Sequence, residues 1–216
     1  MSAPMEHTNI AFQILALTGG SGAGKGVVSE ILQTFGIPVL DTDKVSRIVY
    51  EAGQPCLAAL ADAFGTEILT QDGRLDRAAL AALVFGEQNP EQRKEKLSRL
   101  NAISHRYILD YSRAWLTAQK NAGLPAACID APQLFESGFD RESDYIIGVT
   151  ADREIRIRRI IARDGISRER AEQRLAAQHD DAFFDAHCDT VLVNNGERAA
   201  LIPKVRKILA LRGLLS

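Results

Sequence analysis

The stretch GGSGAGKG (19–26) sets Gly19, Gly24 and Lys25 at the spacing G-x-x-x-x-G-K. Glycines let a backbone curl so that successive N–H groups face an anion. A helix opening directly afterwards adds its own amides and dipole to that attraction. Lys25 then reaches the β- and γ-phosphates of a nucleotide as a point charge. The residues lining such a cradle are Gly20, Ser21, Gly22, Ala23, Gly24, Lys25, Gly26 and Val27. The pattern wants a hydroxyl directly after the lysine to hold magnesium, and Gly26 stands there instead. The competing reading is a glycine turn with no ligand, and the loop alone says no more than nucleotide binding.

Three further groups have chemistry to offer. VLDTDKVSR (39–47) places Asp41 and Asp43 where a strand gives way to a helix. Ligands of open parallel sheets bind outside the carboxyl ends of strands, so one carboxylate is a candidate base and one a candidate metal ligand. One of the two also caps the helix, and the sequence leaves open which. The same alternatives, metal carboxylate or helix cap, hold for Asp130 in CIDAPQLFESG. Eight arginines lie between Arg153 and Arg174, and Arg156, Arg159 and Arg163 share one helical face. Arginines brought to a transferring phosphoryl group stabilise its charge. Several of the eight are expected only to form surface pairs with Asp152, Glu154 and Glu172. His105, on an apolar-striped helix, reads from its surroundings as a packed histidine.

The elements that must position these residues follow from hydrophobic periodicity. FQILAL (12–17) is a short apolar run bounded by glycine, hence a buried strand. From Lys25 the spacing turns helical, with Val28, Ile31, Leu32 and Phe35 on one face and Gly36 as the stop. IPVLD (37–41) and DKVSRIVYEAG repeat the strand-to-helix order, which predicts parallel βαβ units. From Gln54 to about Gly123 the chain reads as helices, broken by a turn at Asp72-Gly73. Strand-like runs return at 126–131, 144–150 and 189–195, and a last helix covers about 197–212.

Composition narrows the classes. The 216 residues carry a formal charge of −2, with no basic footprint for nucleic acid. Cys56, Cys128 and Cys188 form no C-x-x-C pair, so reduced thiols are expected rather than zinc or disulfides. No apolar run approaches the roughly 20 residues that span a bilayer. The opening MSAPMEHTNIAFQ lacks the basic and apolar regions of a signal peptide. A cytoplasmic protein without membrane or nucleic-acid partners is expected. DAFG (62–65) mimics a GTPase D-x-x-G, but it falls at a helix end and no N-K-x-D motif accompanies it.

Together LTGGSGAGK, GIPVLDTD, ILTQDGRLDRAAL, LNAISH, APQLFESG, RRIIARDGIS with RLAAQ, and DTVLVNNG resemble the dephospho-CoA kinases, a family of P-loop kinases. The resemblance runs from Leu15 to about Gly196. It implies one α/β domain over 1–216, a three-layer P-loop kinase core with a five-stranded parallel sheet (10–52, 124–150, 187–216). An inserted helical acceptor-binding region (53–123) and a helical lid (151–186) complete it. It implies transfer of the γ-phosphate of ATP, with Mg²⁺, to the ribose 3′-hydroxyl of dephospho-CoA, giving coenzyme A. On this resemblance Asp43 is the base, Lys25 binds phosphate, and Arg159 and Arg163 are lid arginines. His105 lies on the acceptor side, and Asn195 and Gly196 lie near adenine. From their places at strand ends, Asp43 and Asp130 are the candidates for the metal. The chain departs from the family pattern at Gly26 and Val27, at Arg106, at Gln133 and at Arg156. Loss of the loop hydroxyl leaves a second expectation, a nucleotide- or CoA-binding protein without catalysis. Oligomeric state is not implied.

Overall fold

The computed structural model describes residues 11–215; the opening residues 1–10 weighed above lie outside them. The chain forms β1 (Gln13–Thr18), α1 (Lys25–Thr34), β2 (Val39–Asp41), α2 (Thr42–Val49), α3 (Pro55–Phe64), α4 (Arg77–Phe85) and α5 (Pro90–Asn121). There follow β3 (Ala126–Asp130), α6 (Leu134–Ser137), β4 (Tyr145–Thr150), α7 (Arg153–Asp164), α8 (Arg168–Ala176), α9 (Asp181–His187), β5 (Thr190–Val193) and α10 (Arg198–Leu211). It divides into two compact units: residues through Leu40 together with those from Leu116 onward, and Asp41–Trp115.

The first unit is built on a five-stranded parallel sheet of order β2-β3-β1-β4-β5. Central β1 pairs with β3 (Leu17 opposite Asp130) and with β4 (Thr18 opposite Gly148). The carboxyl end of β1 therefore lies between β3 on one side and β4 on the other, where the strand order reverses, the usual place for a ligand in such sheets. Leu15 and Leu17 are fully buried with Val28, Ile31 and Leu32 of α1 and Val205, Ile208 and Leu209 of α10. The helical spacing of the α1 set and the alternation along β1 produce this core directly. Truncating Leu32 to alanine here costs about 2–5 kcal/mol.

Cys56, Cys128 and Cys188 are free thiols. Burial pushes Cys56 up to about 11 and Cys188 up to about 12, and raises Cys128 well above the ordinary thiol value. Among the described residues no helix is long and apolar enough to cross a membrane.

The second unit is helical. Its Asp72-Gly73 turn forms as the sequence predicts, with Gly73 at φ 73° and a single antiparallel bridge between Leu69 and Leu75. Asp76 caps α4, accepting from the amides of Ala78 and Ala79 at 2.9 Å each. DAFG does fall at a helix end, since α3 stops at Phe64. Tyr50, directly after α2, donates its hydroxyl to Ser104 Oγ of α5 at 2.6 Å. A cavity of about 430 Å³ lies among α3, α4 and α5, with Arg99 stacked over Phe64 on its wall.

Candidate active site

After Thr18 the chain turns through Gly19 (φ 141°), Gly22 (φ 77°) and Gly24 (φ 94°) before α1 begins at Lys25. Such left-handed φ values are open to glycine and strained for other residues. Space forbids a side chain as well. A β-carbon on Gly24 would strike the Asn194 amide, and one on Gly22 would come within 2.6 Å of the Arg156 carbonyl. Gly26 is different. It is helical and exposed, and nothing lies within 4 Å of the β-carbon it lacks. Neither strain nor crowding dictates that glycine.

The lysine and the arginine face converge on this loop. Lys25 Nζ donates to the Gly19 carbonyl at 3.0 Å. Arg159 Nη1 donates to the carbonyls of Gly22 and Ala23 at 3.3 and 3.4 Å. Arg163 reaches Ser21 Oγ at 3.4 Å while its fork also holds Asp164 at 2.7 and 3.0 Å. Arg156, only 7% exposed, donates from Nε to the Ser21 carbonyl at 3.0 Å. Gln178 Oε1 accepts from the Ser21 amide at 2.8 Å and from Arg156 Nη2 at 3.3 Å, so Gln178 and Arg156 between them hold both backbone groups of Ser21. Burial pulls the Arg156 guanidinium below its ordinary value, and Asp181 at 3.6 Å opposes the shift. Fully buried Ile157 and Ile160 on the same helix pack with Ala171 of α8 and fix the orientation of α7.

Arg153, Arg168 and Arg174 form a different set. Arg168 bridges Glu154 at 2.6 Å and Glu172 at 2.9 Å, Arg153 lies within 4 Å of both, and Arg174 pairs with Asp164. Asp152, expected in a surface arginine pair, instead exchanges hydrogen bonds with Asn195. Asn195 Nδ2 donates to its carboxylate at 2.7 Å, and the Asp152 amide donates to Asn195 Oδ1 at 2.8 Å. That exchange ties NNG to the start of α7. Neighbouring Asn194 is buried and donates from Nδ2 to the Ala23 carbonyl at 2.8 Å, so the segment after β5 also braces the loop.

Asp130 is no helix cap, because Gln133 occupies the position before α6. It ends β3, is 9% exposed, and accepts from Ser29 Oγ of α1 at 2.8 Å. In the second unit Asp41 does the capping: its Oδ1 accepts from the amides of Asp43 and Lys44 at 2.9 and 3.3 Å. The Asp43 carboxylate takes no part in that cap, and the residue is exposed on the first turn of α2. His105 is half-buried on α5, next to buried Ser104.

Of the residues the sequence nominates, the first unit brings together Lys25, the loop, Arg159 and Arg163. Sequence reasoning missed Ser29, Gln178 and Asn194 as loop and carboxylate partners. Asn194 sits inside the quoted NNG, and Gln178 closes the quoted RLAAQ, so both carried a signal. Ser29 carried only its place one turn after Lys25.

Comparison with known proteins identifies the family. The family model described as dephospho-CoA kinase matches residues 13–200. A dephospho-CoA kinase of Corynebacterium glutamicum is 38% identical over 91% of this chain and 95% of its own. One of Geobacter sulfurreducens is 37% identical over 92% and 98%. A crystal structure from Thermus thermophilus superposes with a TM-score of 0.75 at 31% identity, covering 93% of this chain and 98% of that one. The fold alone also matches a dephospho-CoA kinase from Campylobacter jejuni (TM-score 0.66, 22% identity, 92% and 96% coverage). A glycine loop crowded on three sides, crossed by its own lysine and faced by arginines, thus accompanies family-wide similarity along almost the whole chain, and the chain belongs to the dephospho-CoA kinase family.

Proposed function

We propose that this chain performs its family's reaction, transfer of the γ-phosphate of ATP to the 3′-hydroxyl of dephospho-CoA, with the following division of labour. Loop 19–24, Lys25 and the start of α1 hold the phosphates. Arg159 and Arg163 meet the charge that spreads over the transferring group. Asp43 accepts the proton of the acceptor hydroxyl as its oxygen bonds to phosphorus and the bond from phosphorus to the β–γ bridging oxygen breaks, releasing ADP. Asn195 and Gly196 serve the adenine side, and His105 the acceptor. The free thiols fit a cytoplasmic setting.

Mg²⁺ takes oxygen ligands in small number and keeps several waters. A buried carboxylate at the end of β3, already hydrogen-bonded by a hydroxyl, fits that donor chemistry. Asp130 would hold the ion without a hydroxyl at Gly26. When bound, such an ion neutralises charge on the phosphate oxygens.

The observation that carries this reading is Arg159 donating to the Gly22 and Ala23 carbonyls, a cation set against the phosphate cradle. A coupled assay with dephospho-CoA and Mg-ATP should give turnover of about 1–100 per second. ATP binding without turnover at millimolar magnesium would instead mark a binding protein. Asp43→Asn should lower kcat by about 10²–10⁴ while ATP affinity holds. Equal losses in both would end its role as base.

A further inference from the structure

Helix α1 carries no hydroxyl at its second residue, yet it is not without one. Ser29 lies four residues after Lys25, so the two side chains share a face, about one helical turn apart. Its Oγ donates to Asp130 Oδ2 at 2.8 Å, joining residues 101 apart in sequence. Asp130 is 9% exposed at the end of a strand that pairs with β1, which leads into the loop. A carboxylate this deeply buried is costly unless hydrogen bonds satisfy it. A hydrogen bond to one oxygen also fixes the plane of the group and therefore where its second oxygen faces. Gly26, by contrast, offers no side chain and has open space where one would stand. Orientation of the metal-side carboxylate thus falls to a hydroxyl one turn along α1 from the usual position.

We infer that Ser29 is a positioning residue for divalent-cation binding, acting through Asp130. The hydroxyl does not itself coordinate the ion. It holds the Asp130 carboxylate in the orientation from which Asp130 does so, and this is what lets Gly26 lack a side chain. The inference rests on Asp130 as the metal carboxylate in the function proposed above.

The test is Mn²⁺ binding to the enzyme–ADP complex, followed by electron paramagnetic resonance, alongside ADP affinity without metal. Outer-shell partners of metal ligands are worth about 10–100-fold in metal affinity. Ser29→Ala should therefore weaken Mn²⁺ binding about tenfold and leave metal-free ADP affinity unchanged. Ser29→Thr, which keeps the hydroxyl, should recover most of the loss. Adding Gly26→Ser to Ser29→Ala should recover part of it, since the open space at 26 admits the side chain. Ser29→Cys, close in volume but a weak donor, should behave like alanine, and it keeps the test available if the alanine variant fails to fold.

Unchanged Mn²⁺ affinity in both Ser29→Ala and Ser29→Cys would overturn the inference, as would an equal loss of metal-free ADP binding. Asp130→Asn separates the two levels. If it weakens Mn²⁺ binding while the Ser29 variants do not, only the role of Ser29 fails. If it too leaves Mn²⁺ binding unchanged, the reading of Asp130 as metal ligand fails with it.

Discussion

Arg159 and Arg168 belong to one arginine-rich stretch and use the same charge in opposite ways. Arg168 is met by two carboxylates, those of Glu154 and Glu172, and its field is largely cancelled where it stands. Arg159 is met by backbone carbonyls, which accept hydrogen bonds but carry no net charge. Its positive charge remains available to an anion in the loop. Arg163 stands between the two, with a fork on Asp164 and one long contact to Ser21. What separates the arginines proposed for catalysis from the surface-paired ones is the formal charge of their partners, not their spacing.

This contrast is open to direct attack. The largest effect belongs to Arg159→Ala, which should lower kcat by about 10²–10³ with little change in melting temperature. Arg159→Lys should recover only part, because lysine keeps the charge and loses the fork. A loss confined to stability would erase the distinction. Arg163→Ala should cost less, about tenfold in kcat, since Asp164 already answers part of its charge. If Arg163 proves the more damaging site, the neutral-partner argument is wrong. Arg168→Ala should leave kcat, KM and melting temperature unchanged, as exposed ion pairs contribute little.

The smallest and finest check is the titration of Asp164. The hydrogen bond from Arg163 above all, with that from Arg174, holds this carboxyl down at about 2. A depressed carboxyl stabilises the folded state above the ordinary carboxylate range. That contribution disappears as pH falls from about 4 toward 2. Carbon NMR of the Asp164 carboxyl should show the low midpoint. An ordinary midpoint would mean that Arg163 is not held by Asp164 and should rank beside Arg159.

How much of this was legible beforehand depends on the range of the interaction. The β1–loop–α1 unit was written locally: an apolar run, a glycine spacing, then Val28, Ile31 and Leu32 at helical intervals. The five strands and α10 were equally plain, the strands as short apolar runs and the helix by its spacing of Leu201, Val205, Ile208 and Leu209. The choice between Asp41 and Asp43 as cap was not, since both stand at the right place. Only the reach of Asp41 Oδ1 to two amides decides it. Nor was the Ser29–Asp130 bond readable, being formed by strand order between segments 101 residues apart. The arginine face was visible as spacing, but the nature of its partners was a tertiary fact. The Asp152–Asn195 exchange shows this best, for Asp152 looked like an arginine partner and is bound by an amide.

The three cysteines give the fold a property that matters for its cargo. The acceptor proposed for this chain ends in a thiol, and oxidised forms of such thiols exchange with any protein thiolate they meet. With Cys56 held at about 11, roughly one molecule in 10⁴ carries that thiolate at pH 7. Cys188 at about 12 and the more deeply buried Cys128 are no more reactive. A disulfide that reaches the protein therefore meets few thiolates able to capture it. Native protein should react only slowly with a disulfide reagent at neutral pH, and unfolded protein at once. The same burial that fills the core would thus protect the protein against covalent trapping by a thiol-bearing acceptor.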